Sequence, residues 1–232
     1  MIIHSEYSIF GIAEKENIDI LVNPANTVGV MGAGLALEFK LRYPQYYEDY
    51  RKQAIKKQYN IGQLYIYQQV DTHIATVFTK KHWKYPSTIE WVKAGLASLD
   101  QYLKEKGPIK VAIPLLGTGK GGLDKDRVIE ETENILKNQK STIFICHDRC
   151  ASNQETKAIN QIYQMPCETI QKHPLKQTLL IIREHPKPSR FRDLQKIKGL
   201  GKITYQKLFL EFMCSNEKNK NIVNTSEQRT LF

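Results

Sequence analysis

Two glycine-rich segments, each lying between an apolar run and a helix-like stretch, constrain the fold of this chain most strongly. The first follows the apolar residues 18–22 and occupies 23–34, and the second follows 111–116 and occupies 117–123. A loop of this kind lets backbone N–H groups approach a phosphate, and the N-terminus of the following helix adds partial positive charge. Two such loops predict a single pyrophosphate held between them.

Neither loop fits the two common phosphate-binding fingerprints. A Walker A loop requires Ser or Thr after its lysine, whereas Lys120 is followed by Gly121. The dinucleotide fingerprint Gly-x-Gly-x-x-Gly belongs to the first βα unit of a dinucleotide-binding fold, and neither loop supplies it there. The glycine spacing therefore does not identify either of these two phosphate-binding loops.

The order of the remaining segments predicts an α/β domain over residues 1–150. Apolar residues spaced three and four apart predict a helix over 88–106, with a capping signal before it and Gly107-Pro108 after it. The other predicted helices are 33–56, broken at Tyr43-Pro44, and 126–136, and the predicted strands are 63–70, 73–78, 110–116 and 142–146. This alternation predicts a three-layer α/β/α fold around a mixed, mostly parallel sheet, with ligands at the carboxyl ends of the strands.

Three segments resemble the macrodomain family, which binds ADP-ribose. They are residues 23–36, 78–83 and 117–124, and the resemblance extends over about residues 1–146. Within the family, the chain is most similar to the branch that holds the DarG-type DNA ADP-ribosyl glycohydrolases and the terminal ADP-ribose protein glycohydrolase. The resemblance implies a macrodomain that acts on ADP-ribose without a cofactor.

The same resemblance assigns roles to individual residues. Lys80 is implied to attack the anomeric carbon of the terminal ribose, and Asp124 to act as a general base or to help release the intermediate. The residues implied to bind substrate are Asn23, Asn26, Gly32, Ala33, Gly34, Gly117, Thr118, Gly119, Lys120, Gly121, Gly122 and Leu123, with Trp83 against the acceptor base. The alternatives are a solvated lysine at a strand end, a helix cap at Asp124, and Asp126 in the catalytic role.

A nucleophilic lysine must be neutral, so its pKa has to be lowered by burial or by a nearby positive charge. Lys81 is adjacent, but on a strand its side chain is expected to point to the opposite face from that of Lys80. The family's adenine-binding aspartate has no counterpart in residues 7–12, so backbone groups near Gly11 and Ile12 are expected to replace it. No metal is expected, because Cys146, His147 and Cys150 make an incomplete zinc set.

The last third of the chain has a different character. Residues 151–232 hold 14 lysines and arginines against 7 acidic residues. We expect 151–188 to be a connecting segment and 189–213 a small basic helical region resembling a helix-hairpin-helix. In such a motif Lys198, Gly199, Gly201 and Lys202 would contact a DNA phosphate. The alternative is an ordinary helix corner with a glycine cap.

Residues 214–232 are expected to form a flexible tail. Its end, with Gln228, Leu231 and Phe232, is similar to the peptide by which bacterial proteins bind the sliding clamp. The alternative is a terminus that packs back on the body of the protein.

The most favoured function is removal of ADP-ribose from nucleobases of DNA. The alternatives are a non-catalytic ADP-ribose reader tethered to DNA, and a hydrolase of glutamate-linked or acetylated ADP-ribose. A DarT-type toxin is a further candidate partner. No apolar run approaches the ~18 residues of a membrane span, and sparse cysteines favour the cytoplasm.

Overall fold

The computed structural model describes residues 1–214, which divide into two compact units. The first unit is Met1–Cys150, and the second begins at Ala151. The candidate clamp-binding residues Gln228, Leu231 and Phe232 lie outside the described residues, as does the expected flexible tail beyond Cys214. Within the described residues, no helix is long and apolar enough to cross a membrane.

The first unit is built on a six-stranded sheet with the order β1-β6-β5-β2-β4-β3. The strands are β1 Ile2–Tyr7, β2 Ile20–Asn26, β3 Leu64–Tyr67, β4 His73–Lys80, β5 Lys110–Pro114 and β6 Thr142–Cys150. All neighbours pair in parallel except β3, which is antiparallel to β4. The prediction of a mixed, mostly parallel sheet is confirmed.

Five helices cover the two faces of this sheet. They are α1 Ile9–Ala13, α2 Gly34–Arg42, α3 Pro44–Ile55, α4 Ile89–Lys106 and α5 Lys125–Leu136. One apolar core joins α1, α2 and α3 to the sheet, and a second core joins α4 and α5 to the other face. The predicted three-layer α/β/α arrangement is therefore confirmed.

The contact between α4 and β4 is close because Gly95 has no side chain. A Cβ atom at this position would lie 2.3 Å from Cγ1 of Val77, a distance that real carbon atoms do not reach. Val77 is fully buried on β4. The missing side chain of Gly95 therefore allows α4 to lie close to β4, the strand that ends at Lys80.

One boundary differs from the prediction, because Asn23-Pro24-Ala25-Asn26 belongs to β2 and not to a loop. Its residues continue the parallel ladder with β4, in which Asn23 pairs with Thr76 and Ala25 with Phe78. On the other side, β2 pairs with β5 through Ile20 and Leu21. Pro24, which has no N–H group, is tolerated because it lies beyond these pairs.

The second unit is helical where the structure describes it. Its helices are α6 Asn153–Gln164, α7 Cys167–Lys172, α8 Lys176–Arg183 and α9 Lys202–Phe212, with a 3₁₀ helix at Phe191–Lys196. Buried Glu155 forms an ion pair with buried Arg190, the atoms Oε2 and Nη2 lying 2.9 Å apart. Residues 151–188, expected to be a connecting segment, thus carry three helices with buried apolar side chains, including Ile159, Ile170 and Leu179.

Candidate functional site

The two glycine-containing loops and Lys80 all lie at the carboxyl ends of parallel strands. The first loop leaves β2, the second leaves β5, and Lys80 is the last residue of β4, which pairs with β2. Parallel strands place their carboxyl ends at the same edge of a sheet, where ligands bind in α/β folds. The topology therefore brings together the three segments that the sequence singled out.

Asn26 holds the first loop in shape. Its Oδ1 accepts from the backbone N–H groups of Val28 at 3.1 Å and Val30 at 3.2 Å, and its Nδ2 donates to the carbonyl of Val30 at 2.6 Å. The hydroxyl of Tyr50 donates to the Asn26 carbonyl at 2.5 Å. Asn26 thus shapes the loop, and its implied contact with substrate stays a prediction.

Asn23 is fully buried in a short polar network beneath the loop. Its Nδ2 donates to the hydroxyl of Tyr46 at 2.8 Å, and that hydroxyl lies 2.6 Å from Oγ1 of Thr76. Burial raises the pKa of Tyr46 far above its usual value, so the phenol stays protonated. The Oδ1 atom of Asn23 is buried and has no hydrogen-bond partner within the described residues.

The first loop ends at an uncapped helix N-terminus. Ala33, the residue before α2, has no side chain that accepts a hydrogen bond, and both Ala33 and Gly34 are exposed. Gly34 adopts a φ of +57°, and a Cβ atom there would meet no atom within 4 Å. Gly32 precedes them and is partly exposed. The first-turn N–H groups of α2 are thus accessible to an anion.

Gly117 and Gly121 pack the base of the second loop. A Cβ atom on Gly121 would lie 2.1 Å from the carbonyl oxygen of Gly117, which also accepts from the N–H of Leu123 at 3.1 Å. Gly117 and Gly122 adopt positive φ values of 75° and 77°. These contacts and positive φ angles favour glycine, so the conformation at the base of the loop depends on the glycines at these positions.

The tip of the second loop is open. A Cβ atom on Gly119 would meet nothing within 4 Å, and Lys120 is exposed. The hydroxyl of Thr118 donates back to the carbonyl of Leu115 at 2.9 Å. The loop therefore presents the backbone around Gly119 to solvent, while Thr118 anchors its beginning.

Lys80 contacts both loops. Its Nζ donates to the carbonyl of Lys120 at 2.6 Å, and its own carbonyl accepts from the N–H of Thr27 at 3.0 Å. Burial, and after it the positive charge of Lys120, lowers the pKa of Lys80 below the usual lysine value. Both effects favour the neutral amine that a nucleophilic lysine requires.

Asp124 caps helix α5. Its Oδ1 accepts from the N–H of Arg127 at 2.9 Å, and the residue is exposed. The capping contact is the alternative role considered for this aspartate, and it is present. It leaves the catalytic role of Asp124 as a proposal, because the second carboxylate oxygen is available for other contacts.

An exposed aromatic group follows Lys80 in the turn after β4. Trp83 is 50% exposed and Tyr85 63% exposed. The ring of His82 stacks on that of Trp83 with centroids 5.4 Å apart, and the Nζ of Lys84 lies 5.3 Å from the Trp83 centroid. Exposed aromatic rings beside a cation are suited to contact a nucleobase.

Ser87 is a residue of the site that the sequence pattern does not reveal. Its N–H donates to the carbonyl of Gly121 at 3.0 Å, so the turn before α4 holds the second loop. Its Oγ is buried and without a hydrogen-bond partner within the described residues. The capping signal in the sequence covers residues 86–88, and it is Thr88 that caps α4 by accepting from the N–H of Trp91.

The expected backbone groups for adenine recognition are already engaged. The N–H of Gly11 donates to Oγ of Ser8 at 3.0 Å, and that of Ile12 donates to the Ser8 carbonyl at 2.9 Å. Both are internal bonds of the short helix α1. These two N–H groups are thus engaged within the protein, and adenine recognition by backbone groups near Gly11 and Ile12 stays a prediction.

His147 belongs to a chain of polar side chains. Its Nε2 lies 2.9 Å from Nδ1 of His4, whose Nε2 lies 2.7 Å from Oε1 of Glu133. Between residues 1 and 214 there is no group of three His, Cys, Asp or Glu side chains that could hold a metal ion. Burial first, and then Arg149, lowers the pKa of His147.

In the second unit, the predicted DNA-contacting hairpin joins the 3₁₀ helix to α9. Gly199 adopts a φ of +90°, and Gly201 precedes the first residue of α9. Lys198 and Lys202 are exposed. The first arm of the hairpin is a single 3₁₀ segment of 6 residues, so the helix-hairpin-helix assignment remains a prediction.

Comparison with known proteins places these features in a family. The Macro domain family model matches residues 22–132. A DNA ADP-ribosyl glycohydrolase of Mycobacterium tuberculosis is 41% identical over 121 residues, covering 49% of this chain and 34% of that protein. A Thermosipho africanus protein named as a DNA ADP-ribosyl transferase–glycohydrolase fusion is 35% identical over 118 residues, covering 43% of this chain and 30% of that protein. The chain thus spans about a third of the length of these relatives.

Solved structures agree with the sequence matches. The macrodomain of Mycobacterium tuberculosis DarG superposes with a TM-score of 0.58 at 33% identity, covering 63% of this chain and 98% of the macrodomain. The Thermosipho africanus DarTG complex with ADP-ribose superposes with a TM-score of 0.50 at 31% identity, covering 56% of this chain and 38% of that one. The fold, the loops at the strand ends and the match to 98% of the DarG macrodomain all agree with the Macro domain family model. The chain belongs to the macrodomain family.

Proposed function

We propose that this protein removes ADP-ribose from nucleobases of DNA, with Lys80 as the nucleophile. The observation that carries the proposal is the position of Lys80, whose carbonyl is bonded to the first loop and whose Nζ reaches the second loop at 2.6 Å. Relatives named DNA ADP-ribosyl glycohydrolase support the substrate class. A protein that merely binds ADP-ribose has no need of an amine at this point.

The pyrophosphate of the ligand would lie between the two loops. On one side are the accessible first-turn N–H groups of α2 beside Gly32, Ala33 and Gly34. On the other side is the open backbone around Gly119 and Lys120. Backbone N–H groups, a helix N-terminus and a lysine together are suited to a doubly charged anion. The complex of the Thermosipho africanus relative with ADP-ribose supports this choice of ligand.

The reaction would proceed through the neutral amine of Lys80. Its lone pair forms a bond to C1″ of the terminal ribose while the bond from C1″ to the base nitrogen breaks. The base leaves with the bonding electron pair and takes up a proton, and the new secondary ammonium loses a proton. Water then displaces the lysine from C1″, giving free ADP-ribose and the regenerated amine.

Asp124 and Trp83 would assist this reaction at the two sides of the ribose. Asp124 can accept a proton from a ribose hydroxyl or from the attacking water through the carboxylate oxygen that does not cap α5. Trp83, half exposed beside the strand end, can contact the departing base. Asn23 and Asn26 would support the ribose from below by fixing the loop.

The test compares Lys80→Ala and Lys81→Ala on an ADP-ribosylated oligonucleotide and on an ADP-ribosylated protein. Lys80→Ala should abolish release of ADP-ribose and leave the affinity for free ADP-ribose within roughly tenfold, because the amine acts in the transition state. Lys81→Ala is the matched control. Unimpaired release by Lys80→Ala would refute the lysine mechanism, and release from the protein alone would refute the DNA assignment.

A second proposed activity is contact of the hairpin at 198–202 with DNA. The exposed Lys198 and Lys202 flank two glycines, and the N-cap Gly201 leaves the first N–H groups of α9 without a side-chain partner. Such an arrangement binds a backbone phosphate without reading sequence. The fusion relative from Thermosipho africanus also supports a transferase of the DarT type as a protein partner.

A further inference from the structure

The backbone of Lys120 is held in a defined place beside Lys80. Its carbonyl accepts from Nζ of Lys80 at 2.6 Å. The next residue, Gly121, is fixed by the N–H of Ser87 and by its contact with Gly117. The exposed side chain of Lys120 therefore starts from a fixed point next to the amine of Lys80.

Lys81 is adjacent in sequence but is directed elsewhere. Its Nζ lies 5.7 Å from the ring centroid of Trp91 on α4. Its carbonyl accepts from Oγ1 of Thr27 at 2.8 Å. The positive charge that acts on Lys80 thus comes from Lys120 in the second loop and not from the residue that follows Lys80 in the sequence.

We propose that Lys120 is a positioning residue that keeps the amine of Lys80 neutral, in addition to any contact it makes with the ligand. The inference rests on the proposed function, since it assigns Lys120 a role through the nucleophile. A positive charge close to an ammonium disfavours the protonated form. The same loop would then hold the phosphate and activate the nucleophile.

The direction of the electrostatic effect supports the geometry. Burial is the larger cause that lowers the pKa of Lys80, and the charge of Lys120 is the second. Among the described residues, Lys120 is the charged group that acts on Lys80 in this way. Removing its charge while keeping its backbone carbonyl should therefore return Lys80 toward protonation without breaking the 2.6 Å contact.

The decisive variants are Lys120→Gln, which removes the charge, and Lys120→Arg, which keeps it. Lys81→Gln is the matched control, because it removes an adjacent charge that faces Trp91. The first measurement is kcat/KM against pH on an ADP-ribosylated oligonucleotide, whose acidic limb reports ionisation of the free enzyme. The second is the titration of Lys80 without substrate, followed by NMR of ¹³C-methylated lysines and assigned with Lys80→Arg.

Lys120→Gln should lower kcat/KM several-fold at about pH 7, and the loss should shrink as the pH approaches about 10, where lysines deprotonate. Lys120→Arg and Lys81→Gln should both show the acidic limb of the wild-type profile of kcat/KM against pH. In the NMR titration, Lys80 should deprotonate at higher pH in Lys120→Gln than in wild type.

A loss in Lys120→Gln that is equal at every pH, with an unchanged titration of Lys80, would overturn the inference and leave Lys120 as a phosphate ligand. A failure of the proposed function would give a different result. In that case Lys80→Ala would remain active, while the NMR titration would still report whether Lys120 acts on Lys80.

Discussion

The side-chain amide of Asn23 donates to the hydroxyl of Tyr46 at 2.8 Å, and this bond joins the carboxyl end of β2 to helix α3. Both residues are fully buried, and the same hydroxyl lies 2.6 Å from Oγ1 of Thr76 on β4. The hydroxyl of Tyr46 thus contacts both β2, which leads into the first loop, and β4, which ends at Lys80.

Tyr46→Phe should destabilise the first unit by about 1–3 kcal/mol, because it removes the hydroxyl that accepts from the buried amide of Asn23 at 2.8 Å. The measurement is the free energy of unfolding by chemical denaturation. Tyr47→Phe, at a partly buried ring over which Lys40 lies, is the matched control. Equal effects of the two substitutions would show that the hydroxyl of Tyr46 has no special role.

Gly119 and Gly121 should respond in opposite ways to substitution. Gly119→Glu should keep the melting temperature and lose ADP-ribose affinity, because its side chain enters open space at the phosphate site with a negative charge. Gly121→Ala should destabilise the fold by about 1–3 kcal/mol through overlap with the Gly117 carbonyl. Calorimetry and thermal unfolding of both variants check this, and unchanged affinity of Gly119→Glu would contradict the loop assignment.

Asp124 can be separated into a cap and a catalytic group by two substitutions. Asp124→Ala should lose the bond to the Arg127 N–H and about 0.5–2 kcal/mol of stability. Asp124→Asn keeps a capping oxygen, so it should retain stability and still lose turnover. Thermal unfolding and turnover are measured on both variants. Full turnover by Asp124→Asn would assign this residue to capping alone.

Stability should fall as the pH drops below the ordinary histidine pKa of about 6.5. Burial lowers the pKa of His147 in the folded protein, so the unfolded chain binds more protons in this window and acid favours unfolding. Above about pH 6.5, the contribution of His147 to the free energy of unfolding is fully present. His147→Gln should flatten the decrease in melting temperature between about pH 7 and pH 5. A decrease as steep as in wild type would show that other groups cause it.

DNA binding by the hairpin should depend on Lys198 and Lys202. Replacing both with Gln should reduce the slope of log K against log salt by roughly 0.7–0.9 for each lost phosphate contact. Lys196→Gln is the control, because Lys196 is paired with Asp193 at 2.7 Å. Fluorescence anisotropy at several salt concentrations measures the slope, and an unchanged slope in the double variant would exclude the hairpin as a DNA contact.

The sequence predicted those features that depend on local chemistry. The break at Pro44 separates α2 from α3, and Thr88 caps α4, as their residue types indicate. The position of both loops at strand ends followed from the alternation of apolar runs and helical periodicity. These signals are local, so a single sequence carries them.

Features that depend on packing were beyond the sequence. The extension of β2 through Pro24 depends on where its pairing with β5 stops. The hydrogen bond of Lys80 to the carbonyl of Lys120 depends on the path of a loop 40 residues later in the chain. The engagement of Gly11 and Ile12 by Ser8 depends on a short helix whose apolar residues are nearly all buried.

The close contact of Gly95 with Val77 has a consequence for how this site can change. Even one added methyl group at residue 95 must push α4 away from β4, and β4 carries the amine at its end. Under the proposed mechanism, a substitution within α4 would then alter activity by shifting the backbone that carries Lys80. Selection for catalysis would therefore also act on Gly95, although this residue contributes only to helix packing.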